Sequence, residues 1–175
     1  MIKEATLASG CFWCTETLFS RMQGVISSMP GYSGGSVKNP AYREVCNGTT
    51  GHAECVHLKF DDDIISFQTL IEVFFDMHDP TTLNRQGADV GTQYRSAIFY
   101  HDEEQHQIAM QVMSSASKKF ENSIVTELSP FTEFYIAEVE HHDYYNQNQS
   151  QPYCDLVISP KVKKLMTSYT ALLKE

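Results

Sequence analysis

The sequence predicts an α+β two-layer sandwich, a mostly antiparallel sheet with helices packed on it. Three observations carry that expectation. Period-two and helical patterns are interspersed along the chain without a strict βαβα rhythm. The 175 residues, 42% hydrophobic and 11% aromatic, hold enough apolar surface to build one sizeable core and offset the entropy of ordering the chain. No internal repeat, low-complexity tract or Pro/Ser-rich linker marks a boundary, so residues 1–175 read as a single domain.

The elements follow in order. Ile2 to Ala8 is short and mixed and ends at Ser9-Gly10, a strand running into a turn. Cys11 to Arg21 has Phe12, Thr15, Leu18, Phe19 and Met22 near helical spacing. Val25 to Tyr32 reads as a strand, and Gly31 through Pro40 as a loop by its glycines and proline. Ala53 to Phe60 alternates, which predicts a strand with one wet and one buried face. Ser66 can cap a helix in which Phe67, Leu70, Ile71, Phe74 and Phe75 recur at helical spacing. Arg95 to Tyr100 is a strand, and Asp102 with Gln105 three residues on opens a helix toward Phe120. Ile124 to Leu128 and Glu133 to Val139 are two further strands. His141 to Pro152 is a long irregular segment, of the kind that is often functional. Ser159-Pro160 starts a last helix with Val162, Leu165, Met166, Tyr169, Leu172 and Leu173 on one face. The sheet that these strands build is expected to be ferredoxin-like.

Charge and composition exclude several classes. Thirteen Lys and Arg against twenty-two Asp and Glu give a net charge of −9, which repels phosphate backbones and anionic lipid, so nucleic acid and membrane are poor partners. No stretch approaches the roughly 18 apolar residues of a spanning helix. The opening Met-Ile-Lys-Glu-Ala-Thr lacks the apolar core of a signal peptide. Five cysteines then read as mostly reduced thiols, an odd number that cannot pair fully within one chain. The expectation is an acidic, cytoplasmic monomer. Its seven methionines are expected mostly in the core, and His101 and His106 in solvent.

Gly10-Cys11-Phe12-Trp13-Cys14 is the sharpest chemical feature. A cysteine at the first turn of a helix meets unpaired backbone N–H groups and the positive end of the helix dipole, which favour thiolate. Cys14 lies one turn further, within disulfide reach. The pair reads as redox or nucleophilic chemistry. The weaker reading is half of a zinc site completed from Cys46, His52, Cys55 and His57, although these make no second C-x-x-C and His52 and His57 would point to opposite faces of a strand. A thioredoxin-like disulfide oxidoreductase is the nearer rival among enzymes. Glu54 heads an apolar strand face with Val56, Leu58 and Phe60, so burial should raise its pKa and let it hold a proton near neutrality. An attacking thiol paired with such an acid can protonate an oxygen that leaves. Tyr42 and Tyr94 sit in or beside glycine- and proline-rich loops, and Asp79–Thr82 and Gly87–Gly91 look like tight turns.

With these residues in view, the sequence resembles the A-type peptide methionine sulfoxide reductases. The matching segments are Gly10-Cys11-Phe12-Trp13, Gly31-Tyr32-Ser33-Gly34-Gly35, Asn39-Pro40-Ala41-Tyr42, Val45-Cys46 and Thr50-Gly51-His52-Ala53-Glu54. They continue through His78-Asp79-Pro80-Thr81-Thr82, Asn84-Arg85-Gln86-Gly87, Asp89-Val90-Gly91-Thr92-Gln93-Tyr94-Arg95-Ser96, and His141 ahead of Tyr144-Tyr145. The resemblance implies that Cys11 attacks the sulfoxide sulfur and that Glu54 protonates its oxygen, helped by Tyr42 and Tyr94. It implies an apolar wall of Phe12 and Trp13 for the S-methyl group, ordering of the site by Asp89, and His141 among the substrate-binding residues. It also implies the S epimer of methionine sulfoxide, protein-bound or free, as substrate, no cofactor, and thioredoxin as reductant. The sulfenic acid left on Cys11 would condense with a second thiol. Many relatives have Gly after the Trp and resolve through a glycine-rich tail. This chain has Cys14 and the tail Gln151-Pro152-Tyr153-Cys154-Asp155, as a Cys-x-x-Cys subset does. Cys14 is the expected resolver and Cys154 the second candidate, with Cys46 and Cys55 as structural thiols.

Overall fold

A computed structural model describes all 175 residues. The chain runs β1 (Ile2–Ser9), α1 (Phe12–Ser20), β2 (Val25–Ser33), α2 (Tyr42–Cys46), β3 (Ala53–Asp61), α3 (Phe67–Asp76), β4 (Arg85–Gln86) and β5 (Asp89–Val90). It continues through β6 (Ser96–Tyr100), α4 (Glu103–Ser117), β7 (Glu127–Pro130), β8 (Phe134–Ile136), α5 (Tyr144–Gln147) and α6 (Ser159–Ser168). Short 3₁₀ turns cover Thr92–Tyr94 and Val139–His141, and one π-helical turn, Cys154–Ile158, feeds α6.

The expected α+β content is present, but the sheet is not a plain ferredoxin-like antiparallel layer. Its six strands lie in the order β7-β6-β1-β3-β2-β8, and β7 runs parallel to β6. A parallel neighbour needs a crossover, and the fifteen residues of α4 provide it. The other neighbouring pairs are antiparallel. The two late strands are shorter and shifted from their expected places, at Glu127–Pro130 and Phe134–Ile136.

Helix starts follow the expected caps. The Ser66 hydroxyl accepts from Thr69 N–H at 3.0 Å, and Asp102 accepts from Gln105 N–H at 2.8 Å while Gln105 Oε1 accepts from His101 N–H at 2.9 Å. The apolar stripe of α3 puts Leu70, Ile71, Phe74 and Phe75 into one core with Leu7, Phe12, Phe19, Val56, Leu58 and Phe60. Burying each such side chain contributes about 1.5–3 kcal/mol.

The predicted wet face of β3 is wet only at its far end. Lys59 is exposed, whereas Ala53 and Cys55 are fully buried in a second, smaller cluster with Ala8, Ala97 and Phe99 that Phe131 and Phe134 cover. That cover also overturns the expectation for His101. Its Nε2 lies 2.9 Å from Thr6 Oγ1 and its ring stacks on Phe131 at 4.2 Å, so it is half-buried. The methionines are likewise not mostly core: Met22 and Met77 are buried, while Met1, Met110 and Met166 are exposed. Met166 therefore leaves the apolar face expected of α6, which keeps Val162 and Leu165 inward. No helix is long and apolar enough to cross a membrane.

Candidate active site

The site is assembled where β1 hands over to α1. Gly10 turns the chain at φ +101°, and a Cβ there would stand 2.8 Å from the Gln86 side chain. Cys11 follows as the extended residue capping α1, which leaves the first helical N–H groups free to bind side chains. One of them, Phe12 N–H, donates to Glu54 Oε1 at 3.1 Å. The next, Trp13 N–H, binds the Cys11 sulfur. The nucleophile candidate and the acid candidate are thus fastened to successive amides of one helix end.

Glu54 reaches this point because β3 carries it on the face that holds Val56, Leu58 and Phe60, opposite Tyr32 of β2. Its residue is 1% exposed, its Oε2 is buried and has no hydrogen-bond partner, and burial pushes its pKa up to about 8. The nearby Asp89 charge adds to the rise and Phe12 N–H opposes it. At neutral pH this carboxyl is therefore a neutral acid with an unused oxygen.

Cys11 departs from the expectation of a ready thiolate. Trp13 N–H and the Tyr153 hydroxyl do favour the anion, but burial and the facing Glu54 carboxylate outweigh them and push the thiol well above its ordinary range. Counting only the helix start misses this, because desolvation penalises the charged form of sulfur as it does that of oxygen. Cys11 rests as a thiol beside a neutral Glu54.

The remaining predicted residues gather around this pair. Tyr42 opens α2, where Glu44 Oε1 accepts from Ala41 N–H at 2.9 Å and Glu138 Oε2 accepts from Tyr42 N–H at 3.0 Å. The loop before it is pinned by His52, whose Nδ1 accepts from Gly35 N–H at 2.9 Å and whose Nε2 donates to the Val37 carbonyl at 2.6 Å. Burial and the Glu54 charge raise the Tyr42 phenol, and the same two causes raise Tyr94, so both hydroxyls are donors at working pH. Phe12 is fully buried under Tyr32, Tyr42 and His141, with ring centroids 5.7, 6.1 and 5.4 Å away. Trp13 is half-buried and offers the open ring. His141 lies 4.2 Å from the Tyr42 ring, and its Nδ1 accepts from the Trp13 indole N–H at 3.0 Å. Cys14 and Cys154 are 5% and 0% exposed, Cys154 is close enough for its charge to raise the Cys14 thiol further above its burial-raised value, and all five thiols are free.

Several residues escaped the sequence reading. The Tyr153 hydroxyl donates to Asp89 Oδ2 at 2.6 Å and lies against the Cys11 thiol, tying Asp89 to the nucleophile. Glu138 holds Tyr42 N–H and the Tyr32 hydroxyl together. Cys46, expected to be structural, has its thiol hydrogen-bonded to the Tyr42 hydroxyl at the edge of the site. Only its neighbourhood to Tyr42 in sequence hinted at this. The zinc alternative fails on geometry: the groups of three potential ligands are Glu138/Glu140/His141 and Asp61/Asp62/Asp63, and neither includes a cysteine. His52 has both ring nitrogens engaged with backbone.

A half-buried thiol facing a neutral carboxylic acid inside an aromatic enclosure is the equipment of a thiol-based oxidoreductase. Comparison with known proteins gives the family. The model of the peptide methionine sulfoxide reductase family matches residues 3–172. The peptide methionine sulfoxide reductase MsrA of Saccharolobus solfataricus is 58% identical over 165 residues, 94% of this chain and 93% of that one. Methionine sulfoxide reductase A of Corynebacterium diphtheriae superposes with a TM-score of 0.80 at 36% identity, covering 84% of this chain and 75% of that one. Saccharomyces cerevisiae Mxr1 in its reduced form superposes with a TM-score of 0.79 at 34% identity, over 84% of this chain and 86% of that one. The same yeast protein in complex with Trx2 gives 0.57 at 26% identity, over 82% and 84%. The chain belongs to the peptide methionine sulfoxide reductase family, and it is an oxidoreductase acting on methionine sulfoxide.

Proposed function

We propose that the chain reduces the S epimer of methionine sulfoxide, protein-bound and free, with Cys11 as nucleophile and Glu54 as acid. The observation that carries this is Glu54 Oε2: a buried oxygen, protonated near neutrality, without a partner, beside a thiol. An empty hydrogen-bond position of that kind costs free energy until a ligand fills it. A sulfoxide oxygen is the complement, since it leaves readily only when protonated. Tyr42 and Tyr94, both phenols kept neutral chiefly by burial, supply two further donors toward the same oxygen.

Atoms and protons balance without a cofactor. The Cys11 sulfur bonds to the sulfoxide sulfur, Glu54 gives its proton to the oxygen, and the proton leaving the thiol restores Glu54. Transfer of the hydroxyl to Cys11 releases methionine and leaves a sulfenic acid. Cys14, one helical turn away, condenses with it to a disulfide and releases water. Its neighbour Cys154 can take over the disulfide and free Cys11. A dithiol protein, thioredoxin, is the proposed final reductant, supported by the yeast relative having been solved in complex with Trx2. Half-buried Trp13 is the proposed contact for the S-methyl group. Phe12, having no exposed surface, backs Tyr42 and His141.

Mixing the protein with excess sulfoxide peptide and no reductant tests the roles. Cys11→Ser is expected to release no methionine. Cys14→Ser is expected to release about one methionine per chain and to carry a sulfenic acid on Cys11 that a cyclic 1,3-dione captures. Methionine release by folded Cys11→Ser overturns the proposal.

A further inference from the structure

We propose that Glu16 is a positioning residue of this site: its buried carboxylate, on the nucleophile's own helix, fastens the chain at Asp143–Tyr144 so that Tyr144 and His141 hold the Trp13 indole in place. The proposal rests on the reading of Trp13 as part of the substrate site and adds what keeps it there.

Glu16 is 6% exposed and lies three residues after Trp13, on the same side of α1. Burial pushes the pKa of this carboxyl up to about 7, and a carboxyl so deeply buried is retained only where donors meet it. Here they are main-chain amides from a distant segment. Asp143 N–H donates to Glu16 Oε1 at 2.8 Å, and the adjoining Tyr144 N–H lies close enough to favour the charged form of the same carboxyl. The segment does not satisfy these amides itself. Asp143 stands in the left-handed region at φ +53°, and its carboxylate accepts from the Asn146 side chain at 2.7 Å instead of capping α5. The turn is therefore held open from outside, by α1.

Two contacts that orient Trp13 hang from this turn, while Tyr153, later in the chain, meets the indole edge-on at 6.0 Å. The Tyr144 ring lies parallel to the indole, 3.8 Å between centroids and 10° between planes. Two residues before the turn, His141 accepts the indole N–H at 3.0 Å and packs on Tyr42. Helix, turn and aromatic pair thus form a closed circuit: α1 supplies Trp13, the turn supplies the groups that orient it, and Glu16 returns the turn to α1. Glu16 itself reaches neither Cys11 nor Glu54 in any hydrogen bond.

Trp13 is the chain's sole tryptophan, so emission excited at 295 nm reads this indole alone. Glu16→Leu keeps the volume and removes the acceptor. It is expected to red-shift the Trp13 emission and to raise KM for a peptide S-sulfoxide roughly tenfold, with kcat within about twofold. Glu16→Gln keeps one acceptor oxygen and is expected to fall between wild type and Glu16→Leu in both readouts. It decides the matter should Glu16→Leu not fold. Val112→Ala, buried in α4 away from the turn, serves as a destabilised control and is expected to lower Tm without moving the emission. Wild-type emission and KM in folded Glu16→Leu, or in Glu16→Gln if that alone folds, overturn the proposal. An equal emission shift in Val112→Ala also overturns it, because the effect would then be general loosening. Emission is read without turnover, so failure of this clamp and failure of the reductase reading are separate results.

Discussion

Replacing Glu54 by Gln should remove activity and strengthen the fold, and the size of the second effect follows from the site. Burial lifts this carboxyl from its ordinary 4.5 to about 8. Below pH 4.5 the group is protonated in both folded and unfolded chains, and its titration contributes nothing to stability. Between 4.5 and 8 the unfolded carboxyl ionises while the buried one does not, so the fold loses stability as pH rises. At pH 7.5 that window spans three pH units at about 1.4 kcal/mol each, about 4 kcal/mol in all. The amide of the Glu54→Gln variant is neutral in both states and escapes the loss, and its oxygen can still accept Phe12 N–H. Urea titrations at pH 7.5 should show Glu54→Gln more stable by up to about 4 kcal/mol, or roughly 10 °C in Tm, with the gap closing near pH 4.5. Turnover should fall about 10²–10⁴-fold, the usual range for a lost general acid. A variant less stable than wild type at pH 7.5, or a stability gap that ignores pH, would refute the reasoning about burial.

Two further outcomes follow from the same geometry. In the wild-type protein kcat/KM should fall as pH rises through about 8, because Glu54 must keep its proton to give it, and Glu54→Gln should lack that limb. Tyr153→Phe removes the hydroxyl between Cys11 and Asp89. It should slow alkylation of Cys11 by iodoacetamide several-fold, because the hydroxyl whose one proton is shared between the Asp89 carboxylate and the sulfur, and so favours the thiolate, is gone. Unchanged alkylation would leave Tyr153 as packing alone.

The parts of this molecule that local rules control are legible in the chain. Ser66 and Asp102 cap the helices that their positions predict, and α3 buries the stripe that its spacing describes. The burial of Glu54 follows from the apolar residues alternating with it along one strand. What is not legible depends on segments far apart in sequence. Phe131 and Phe134 fold over the outer sheet face and turn the wet side of β3 dry at Cys55, and the same cover takes His101 out of solvent. Tyr153 meets Asp89 across 64 positions, and Glu16 meets Asp143 across 127. No period or cap in the chain records such meetings. The thiolate expected at Cys11 fails for a related reason. The helix start is a local feature, whereas the opposing Glu54 charge and the burial arrive with β3 and the later chain.

The most direct test of the central claim is reduction of a peptide carrying racemic methionine sulfoxide, with a dithiol as reductant and a chelator present. A thiol facing one fixed acid can take one epimer, so the reaction should stop at half conversion with the S epimer consumed and the R epimer intact. Consumption of the R epimer, or of neither by folded protein, would contradict the account.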